Sequence, residues 1–150
     1  MAKEFKVKYA TRVKLQRAIQ QQIRQRDLLD TRTMVESIRI SSTTGDLNTL
    51  YITVNCIYYY VFHDLGYTLR DNTKMEAQKM TRDALNSSLG QQFKKECVDA
   101  YVQWMVANYP ILDVGKIMVE KLNVKYRYNV FGGEEYGYTG FYPSGDWFKL

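Results

Sequence analysis

Apolar residues recur with the spacing of an α-helix in two separate parts of the chain. In residues 8–27 the apolar positions share one side of a helix, and Lys, Arg and Gln fill the other. In residues 91–109 a second apolar stripe follows the same spacing, and Pro110 prevents that helix from continuing. The stripes consist of Leu15, Ala18, Ile19 and Ile23 in the first segment and of Phe93, Cys97, Ala100, Tyr101 and Trp104 in the second. The pattern predicts an N-terminal amphipathic helix and a long helix in the C-terminal half.

A spacing of two, which is typical of half-buried strands, appears between and after these helices. It is found in residues 38–40, 50–56 and 122–130. The polar residues 41–48 predict a hairpin loop between the first two strands. Around Ile57 the spacing changes to that of a short helix, which Gly66 is expected to end.

Two further segments have weaker patterns. Thr33 and Glu36 have the spacing of a capping box, and Asp30 and Thr31 are competing caps for the same short helix. Residues 68–90 are polar with weak periodicity, which predicts a connector with a helical part around residues 74–86.

The last segment, residues 132–150, combines glycines with many aromatic side chains. The aromatic positions are Tyr136, Tyr138, Phe141, Tyr142, Trp147 and Phe148. Large aromatic groups are costly to leave in water, and the glycines disfavour regular structure. We interpret the segment as an extended arm that docks on another subunit, which makes these six residues candidates for a subunit interface. Folding back over its own core is the alternative.

Together these elements predict an α+β protein. We expect a small antiparallel β-sheet, packed by the N-terminal amphipathic helix and by the long helix of the C-terminal half. A chain of 150 residues is long enough to bury one core. The predicted organisation is therefore a single domain in residues 1–131, followed by the aromatic arm in residues 132–150.

The net charge of +5 is unevenly distributed along the chain. Residues 1–26 contain eight Lys and Arg residues against Glu4 alone, which gives this segment +7 and leaves −2 for the remainder. Such an asymmetry indicates contact with phosphates or with an acidic protein surface, and a solvated helix face is the alternative. The candidates for a basic surface are Arg12, Arg17, Arg24 and Arg26.

The sequence contains no recognisable catalytic or metal-binding motif. His63 stands beside Asp64 but without a Ser or Cys in a nucleophile motif, and Cys56 and Cys97 are too far apart for a CxxC pair. No apolar run approaches the roughly 18 residues of a membrane span. We therefore expect a non-enzymatic, intracellular protein with two reduced cysteines, no cofactor, no metal and no membrane partner.

The central unit, residues 27–68, resembles the neck and tail-completion proteins of tailed bacteriophages. The resemblance is carried by Asp30-Thr31, Met34 and Ser37-Ile38, followed by the Tyr-rich turn Tyr58-Tyr59-Tyr60 with Phe62, Asp64 and Gly66. Arg32 stands where that group has a glycine, and Tyr67 separates Gly66 from Thr68. We name Asp30, Thr31, Ser37, Tyr59 and Gly66 the family-motif positions.

This resemblance implies a structural protein of the virion, made in the cytoplasm of the bacterial host. Copies would form a ring in the neck that joins the head, through the portal, to the tail, with packaged DNA passing nearby. The expected partners are the chain itself, the portal and other neck or tail proteins. The alternative hypothesis, from charge and tyrosine content alone, is a small basic nucleic-acid-binding protein.

Overall fold

The computed structural model describes residues 5–26, 28, 30–44, 49–108, 123–131 and 140–149. The helices are α1 (Tyr9–Arg24), α2 (Thr31–Ser37), α3 (Tyr58–Leu65), α4 (Met80–Asn86) and α5 (Ser88–Asn108). The strands are β1 (Arg39–Thr44), β2 (Thr49–Ile57), β3 (Tyr67–Thr68), β4 (Lys74–Met75), β5 (Asn123–Phe131) and β6 (Gly140–Lys149). The predicted α+β class is confirmed, and both predicted long helices are present.

The main sheet has the strand order β1-β2-β5-β6. Strands β1 and β2 pair antiparallel, as do β5 and β6, but β2 and β5 run parallel, with Val54 opposite Tyr128. The expectation of an antiparallel sheet is therefore wrong, because the sheet is mixed. Parallel neighbours require a long crossover, and α3, the β3–β4 hairpin, α4 and α5 all lie between β2 and β5 along the chain.

The core lies between the sheet and the helices. The predicted stripe of α1 is fully buried, with Leu15, Ala18, Ile19 and Ile23 all at 0% exposure. On β2 the alternating residues Leu50, Ile52, Val54 and Cys56 are likewise buried. Burying an aliphatic side chain of this size stabilises a fold by about 1.5–3 kcal/mol relative to exposure. The two stripes that the sequence pattern identifies thus supply much of the core.

The edge strand β1 is contacted by Arg12 of α1 and by Val7, which precedes that helix. The Arg12 guanidinium donates hydrogen bonds to the carbonyl oxygens of Val7 and Ile40, at 3.1 and 3.0 Å. The Val7 amide also donates to Ser42 Oγ at 3.3 Å. An exposed sheet edge can pair with strands of other chains. The hydrogen bonds from Arg12 and Val7 occupy part of the β1 edge.

Residues 68–75 differ from the predicted connector. They form the β3–β4 hairpin, in which Tyr67 pairs with Met75 and Thr68 with Lys74. The predicted helix around residues 74–86 begins only at Met80. The reason is local, since Lys74 and Met75 pair in the hairpin and Lys79, directly before the helix, has a left-handed conformation (φ 53°).

Part of the predicted C-terminal arm belongs to the main sheet. The backbone of Gly140–Lys149 forms β6, in which Tyr142 is the register partner of Tyr128 and Phe148 that of Val124. The backbone of these ten residues therefore pairs with β5 of the same chain. Residues 132–139, with Tyr136 and Tyr138, lie outside the described residues.

Candidate interaction surface

The family-motif positions Asp30 and Tyr59 are brought together although they are far apart in sequence. The Tyr59 hydroxyl donates to Asp30 Oδ2 at 2.7 Å, and the Thr33 hydroxyl donates to Oδ1 at 2.8 Å. These two bonds lower the pKa of the Asp30 carboxyl. Burial and the bond to Asp30 raise the pKa of Tyr59 to about 12. Helix α2 begins at Thr31 with Asp30 at its N-cap, so Thr33 lies inside the helix and not at the position that the predicted Thr33–Glu36 capping box requires.

Thr31 and Ser37 fix the two ends of α2. The Thr31 hydroxyl donates to the Leu28 carbonyl at 2.8 Å at the start of the helix. At its end, Ser37 Oγ donates to the Met34 carbonyl at 2.7 Å and accepts from the Ile57 amide at 3.2 Å. Ile57 is the residue at which β2 gives way to α3. Ser37 therefore ties α2 to the point where the sequence pattern changes from strand to helix.

Gly66 joins α3 to the hairpin in a conformation that favours glycine. Its φ is +84°, and a Cβ at this position would lie 2.9 Å from the Met75 carbonyl oxygen. Any side chain would thus be strained by backbone geometry and by contact with backbone atoms. All five family-motif positions consequently lie at junctions between elements of the central unit.

The four candidate basic residues divide into two pairs. Arg12 donates its hydrogen bonds to backbone carbonyl oxygens. Arg26 donates to the Gln78 carbonyl oxygen at 3.0 Å and to Asp83 Oδ2 at 2.8 Å. Arg17 and Arg24 are exposed on α1 and make no hydrogen bond or ion pair with the residues that the structure describes. Only Arg17 and Arg24 of the four are therefore available to a partner.

A buried polar network that the sequence analysis did not identify lies between α3, α4 and β5. Asp64 is 3% exposed and accepts hydrogen bonds from the Tyr128 hydroxyl and from the Thr81 amide, the latter at 3.1 Å. Tyr60 and Thr81 bond through their hydroxyls at 2.6 Å. A sequence signal existed, since Asp64 falls four residues after Tyr60, on the buried side of α3.

The electrostatics of this network follow from its burial. Burial raises the pKa of Asp64 above its ordinary value, while the hydrogen bonds from Tyr128 and Thr81 act in the opposite direction. Burial also raises the pKa of Tyr60 and Tyr128 well above the ordinary tyrosine value. Both hydroxyls therefore remain protonated donors at neutral pH, and the network holds the first turn of α4 against α3.

The β3–β4 hairpin, defined here as residues 65–77, projects from this network. Two backbone bonds close its base: the Gln78 amide donates to the His63 carbonyl at 2.8 Å, and the Lys79 amide to the Asp64 carbonyl at 3.2 Å. Residues 68–76 are all exposed. The exposed apolar side chains on the hairpin are Leu65 (48%), Leu69 (43%) and Met75 (40%).

A cleft of about 440 Å³ lies between α1 and α2. It is lined by Arg24, Thr31, Arg32, Val35 and Glu36, and we call it the α1–α2 cleft. Val35 is only 7% exposed and provides an apolar floor. Arg32 and Glu36 form an exposed ion pair of 3.1 Å on the rim, beside Arg24. The cleft thus combines an apolar base with charges of both signs.

The candidate reactive groups are distributed without a catalytic arrangement in the described part of the chain. Burial lowers the pKa of His63, whose ring packs edge-on against Tyr67 at 6.0 Å. Cys56 and Cys97 are free, buried thiols whose pKa burial raises. Among the described residues, no group of three His, Cys, Asp or Glu could hold a metal ion, and no helix could cross a membrane.

Of the six candidate interface aromatics, the structure places the backbone of Phe141, Tyr142, Trp147 and Phe148 in the edge strand β6. Asp30 and Tyr59 are hydrogen-bonded to each other, whereas Gly66 lies beside Met75 and Ala77. Of the basic candidates, Arg12, Arg17 and Arg24 lie on α1, and Arg26 follows that helix. The chain matches no known protein family, no curated protein and no solved structure.

Proposed function

We propose that this chain is a structural subunit of a ring in the neck of a tailed bacteriophage, where it joins the portal and head to the tail. In this proposal it is a non-enzymatic virion protein, made in the cytoplasm of the bacterial host. It acts by contacts with copies of itself, with the portal and with other neck or tail proteins.

The observation that carries the proposal is that family-motif positions make the contacts between α2 and the start of α3. Asp30 and Tyr59 are linked by a hydrogen bond of 2.7 Å, and Ser37 accepts from the Ile57 amide at 3.2 Å. Gly66 has the positive φ that its place after α3 requires. These contacts support the proposal because they give the motif positions structural roles within the central unit.

The surface is compatible with an assembly role. A closed ring with head-to-tail contacts needs two different patches on each subunit. The projecting β3–β4 hairpin and the α1–α2 cleft lie on different elements and differ in shape. Both carry exposed charged residues next to apolar groups, as protein interfaces commonly do.

Deleting the gene from the virus that encodes the chain tests this proposal. We expect DNA-filled heads and separate, complete tails to accumulate in lysates, because heads and tails cannot join. Expression of the intact chain in trans should restore joined particles. Normal, infectious particles without the chain would contradict the proposal.

A second candidate function is nucleic-acid binding, which is favoured by Arg17 and Arg24, both exposed on α1 and without an ion pair to any residue that the structure describes. Each phosphate contact contributes about −0.9 to the slope of log affinity against log salt concentration. If DNA is the partner, changing both residues to Gln should reduce this slope by about two. Arg12→Gln is the matched control, since Arg12 is bound to backbone carbonyls and should leave the slope unchanged. Absence of salt-dependent DNA binding by the intact chain would reject this function.

A further inference from the structure

A small cavity lies where the base of the β3–β4 hairpin meets α3, α4 and β5. It has a volume of about 230 Å³, and we call it the hairpin-base cavity. A cavity of about 150 Å³ is enough to hold a benzene ring, so this one has room for a ring and a polar group. Its lining consists of Asp64, Leu65, Ala77, Lys79, Arg82 and Tyr126.

Two exposed cations, Lys79 and Arg82, line this cavity, and little negative charge offsets them. The Lys79 ammonium makes no hydrogen bond or ion pair with any residue in the described part of the chain. Arg82 lies 3.8 Å from Asp83, but the same carboxylate is held more closely by Arg26, at 2.8 Å. An anion between Lys79 and Arg82 would therefore gain charge-assisted hydrogen bonds from both.

The acidic residue of the lining, Asp64, does not neutralise these cations, because its carboxyl belongs to the buried network. It is only 3% exposed and accepts hydrogen bonds from the Tyr128 hydroxyl and the Thr81 amide. The other lining residues, Leu65, Ala77 and Tyr126, are uncharged. Positive charge therefore dominates the exposed rim of the cavity.

The backbone holds Lys79 at the cavity in a conformation that is unusual for lysine. Its φ is +53°, in the left-handed region that Gly, Asn and Asp adopt more readily. Its amide donates to the Asp64 carbonyl at 3.2 Å, and its carbonyl accepts from the Asp83 amide at 3.0 Å. Non-glycine residues held in this region are concentrated at active sites and ligand-binding sites. The backbone strain is thus a second observation that indicates a role for Lys79.

The uncharged part of the lining can hold the body of an organic molecule. Leu65 is 48% exposed, and Ala77 and Tyr126 are partly exposed. Apolar and aromatic walls with a few polar groups that fix orientation are typical of small-molecule sites. A phosphate monoester carries a charge of about −1.5 to −2 at pH 7, which matches the two cations better than a carboxylate does.

We propose that the hairpin-base cavity binds a small organic phosphate. Its phosphate group lies between Lys79 and Arg82, and its organic part lies against Leu65, Ala77 and Tyr126. The ligand is a free phosphate ester or the 5′-phosphate end of a nucleic-acid strand, which share this chemistry. The site goes beyond the proposed neck function, since it requires no second subunit.

Titration of the intact chain with phenyl phosphate, followed by ¹H–¹⁵N NMR, tests the site. We expect saturable shifts of the Leu65, Ala77 and Lys79 amides and none at Val35 in the α1–α2 cleft. Inorganic phosphate and phenol each supply only one half of the ligand, and benzoate supplies a single charge. Each of these three probes should bind at least about fivefold more weakly than phenyl phosphate.

Substitutions at the two cations provide the second readout. Lys79→Gln and Arg82→Gln should each weaken phenyl phosphate binding by about fivefold to tenfold, because each removes one charge-assisted contact. Lys74→Gln is the matched control, since Lys74 is an exposed hairpin lysine outside the cavity lining. It should leave the affinity unchanged. Urea unfolding of all three variants should match that of the unchanged protein, because the substituted side chains are exposed.

The outcomes decide the proposal in either direction. Saturable binding that both cavity variants weaken and the control does not would support the site. No saturable shift up to about 10 mM phenyl phosphate, shifts centred outside the cavity, or an equal loss in Lys74→Gln would overturn it. Tighter binding of a 5′-phosphorylated oligothymidylate than of phenyl phosphate would identify strand ends as the source, and weaker binding would identify a free ester. The neck function is tested separately by deletion of the gene.

Discussion

Replacing Tyr128 with Phe removes a single hydroxyl from the buried network around Asp64. This hydroxyl donates to Asp64 Oδ2 and lies 3.3 Å from Thr81 Oγ1. Tyr128 is fully buried, and Asp64 is 3% exposed, so water cannot readily replace the lost donor. The remaining ring keeps its packing, and the effect therefore reports on the hydrogen bond.

The size of the effect follows from these contacts. A buried acceptor left without its donor costs about 1–3 kcal/mol. We therefore expect the free energy of unfolding to fall by about 2 kcal/mol. For a chain of this length, that corresponds to a decrease in Tm of about 4–8 °C. The pKa of Asp64 should rise further, because the bond from Tyr128 opposes the effect of burial.

Urea denaturation at neutral pH, followed by circular dichroism, measures the change. Tyr51→Phe is the matched control on the adjacent strand β2. The Tyr51 ring lies under Arg127 at 4.6 Å, and Phe preserves this contact. We expect the control to unfold like the unchanged protein. A loss below about 0.5 kcal/mol for Tyr128→Phe, within the range of ordinary surface substitutions, would refute the view that this bond stabilises the network.

Three further predictions concern the same framework. Burial makes the folded-state pKa of Asp64 higher than its ordinary value of 3.8. The stabilising contribution of the protonated carboxyl is therefore complete below pH 3.8 and is lost as the pH rises through the folded-state pKa. Asp64→Asn should remove this part of the pH dependence, measured as the difference between the unfolding free energies of the two proteins across pH. Gly66→Ala should lower the free energy of unfolding by about 2–3 kcal/mol because of the backbone strain at φ +84°, and an unchanged urea midpoint would contradict the geometry. Arg12→Ala should lower it by about 1–2 kcal/mol through loss of two hydrogen bonds, with Arg17→Ala as a near-neutral control in the same thermal melts.

Local periodicity predicted the helices and the strand β2 because their buried residues repeat along one continuous segment. The stripe of α1 and the alternation from Leu50 to Cys56 are both buried as expected. Some family-motif residues have short-range roles, whereas the bond between Asp30 and Tyr59 joins residues that are 29 positions apart. Thr31 and Ser37 donate hydrogen bonds to carbonyl groups three residues earlier, and Gly66 is the residue at which α3 ends.

The remaining features depend on contacts between distant segments. Strands β2 and β5 are separated by 65 residues of intervening chain, and alternation within a strand is the same for parallel and antiparallel neighbours. The partners of Asp64 likewise come from α4 and β5. Arg12 and Arg26 donate hydrogen bonds to acceptors within the chain. The charge pattern could not predict these bonds, because they depend on where Val7, Ile40 and Asp83 lie in space.

Quantitative mass spectrometry of purified virus particles tests the central claim most directly. Under the proposed function a bacteriophage encodes the chain. Its particles should be washed at high salt, and the copies of this chain scaled to those of the portal protein. The proposed neck ring predicts retention of the chain at a ratio near one to the portal. Absence of the chain from washed particles would contradict the structural role and favour nucleic-acid binding through Arg17 and Arg24.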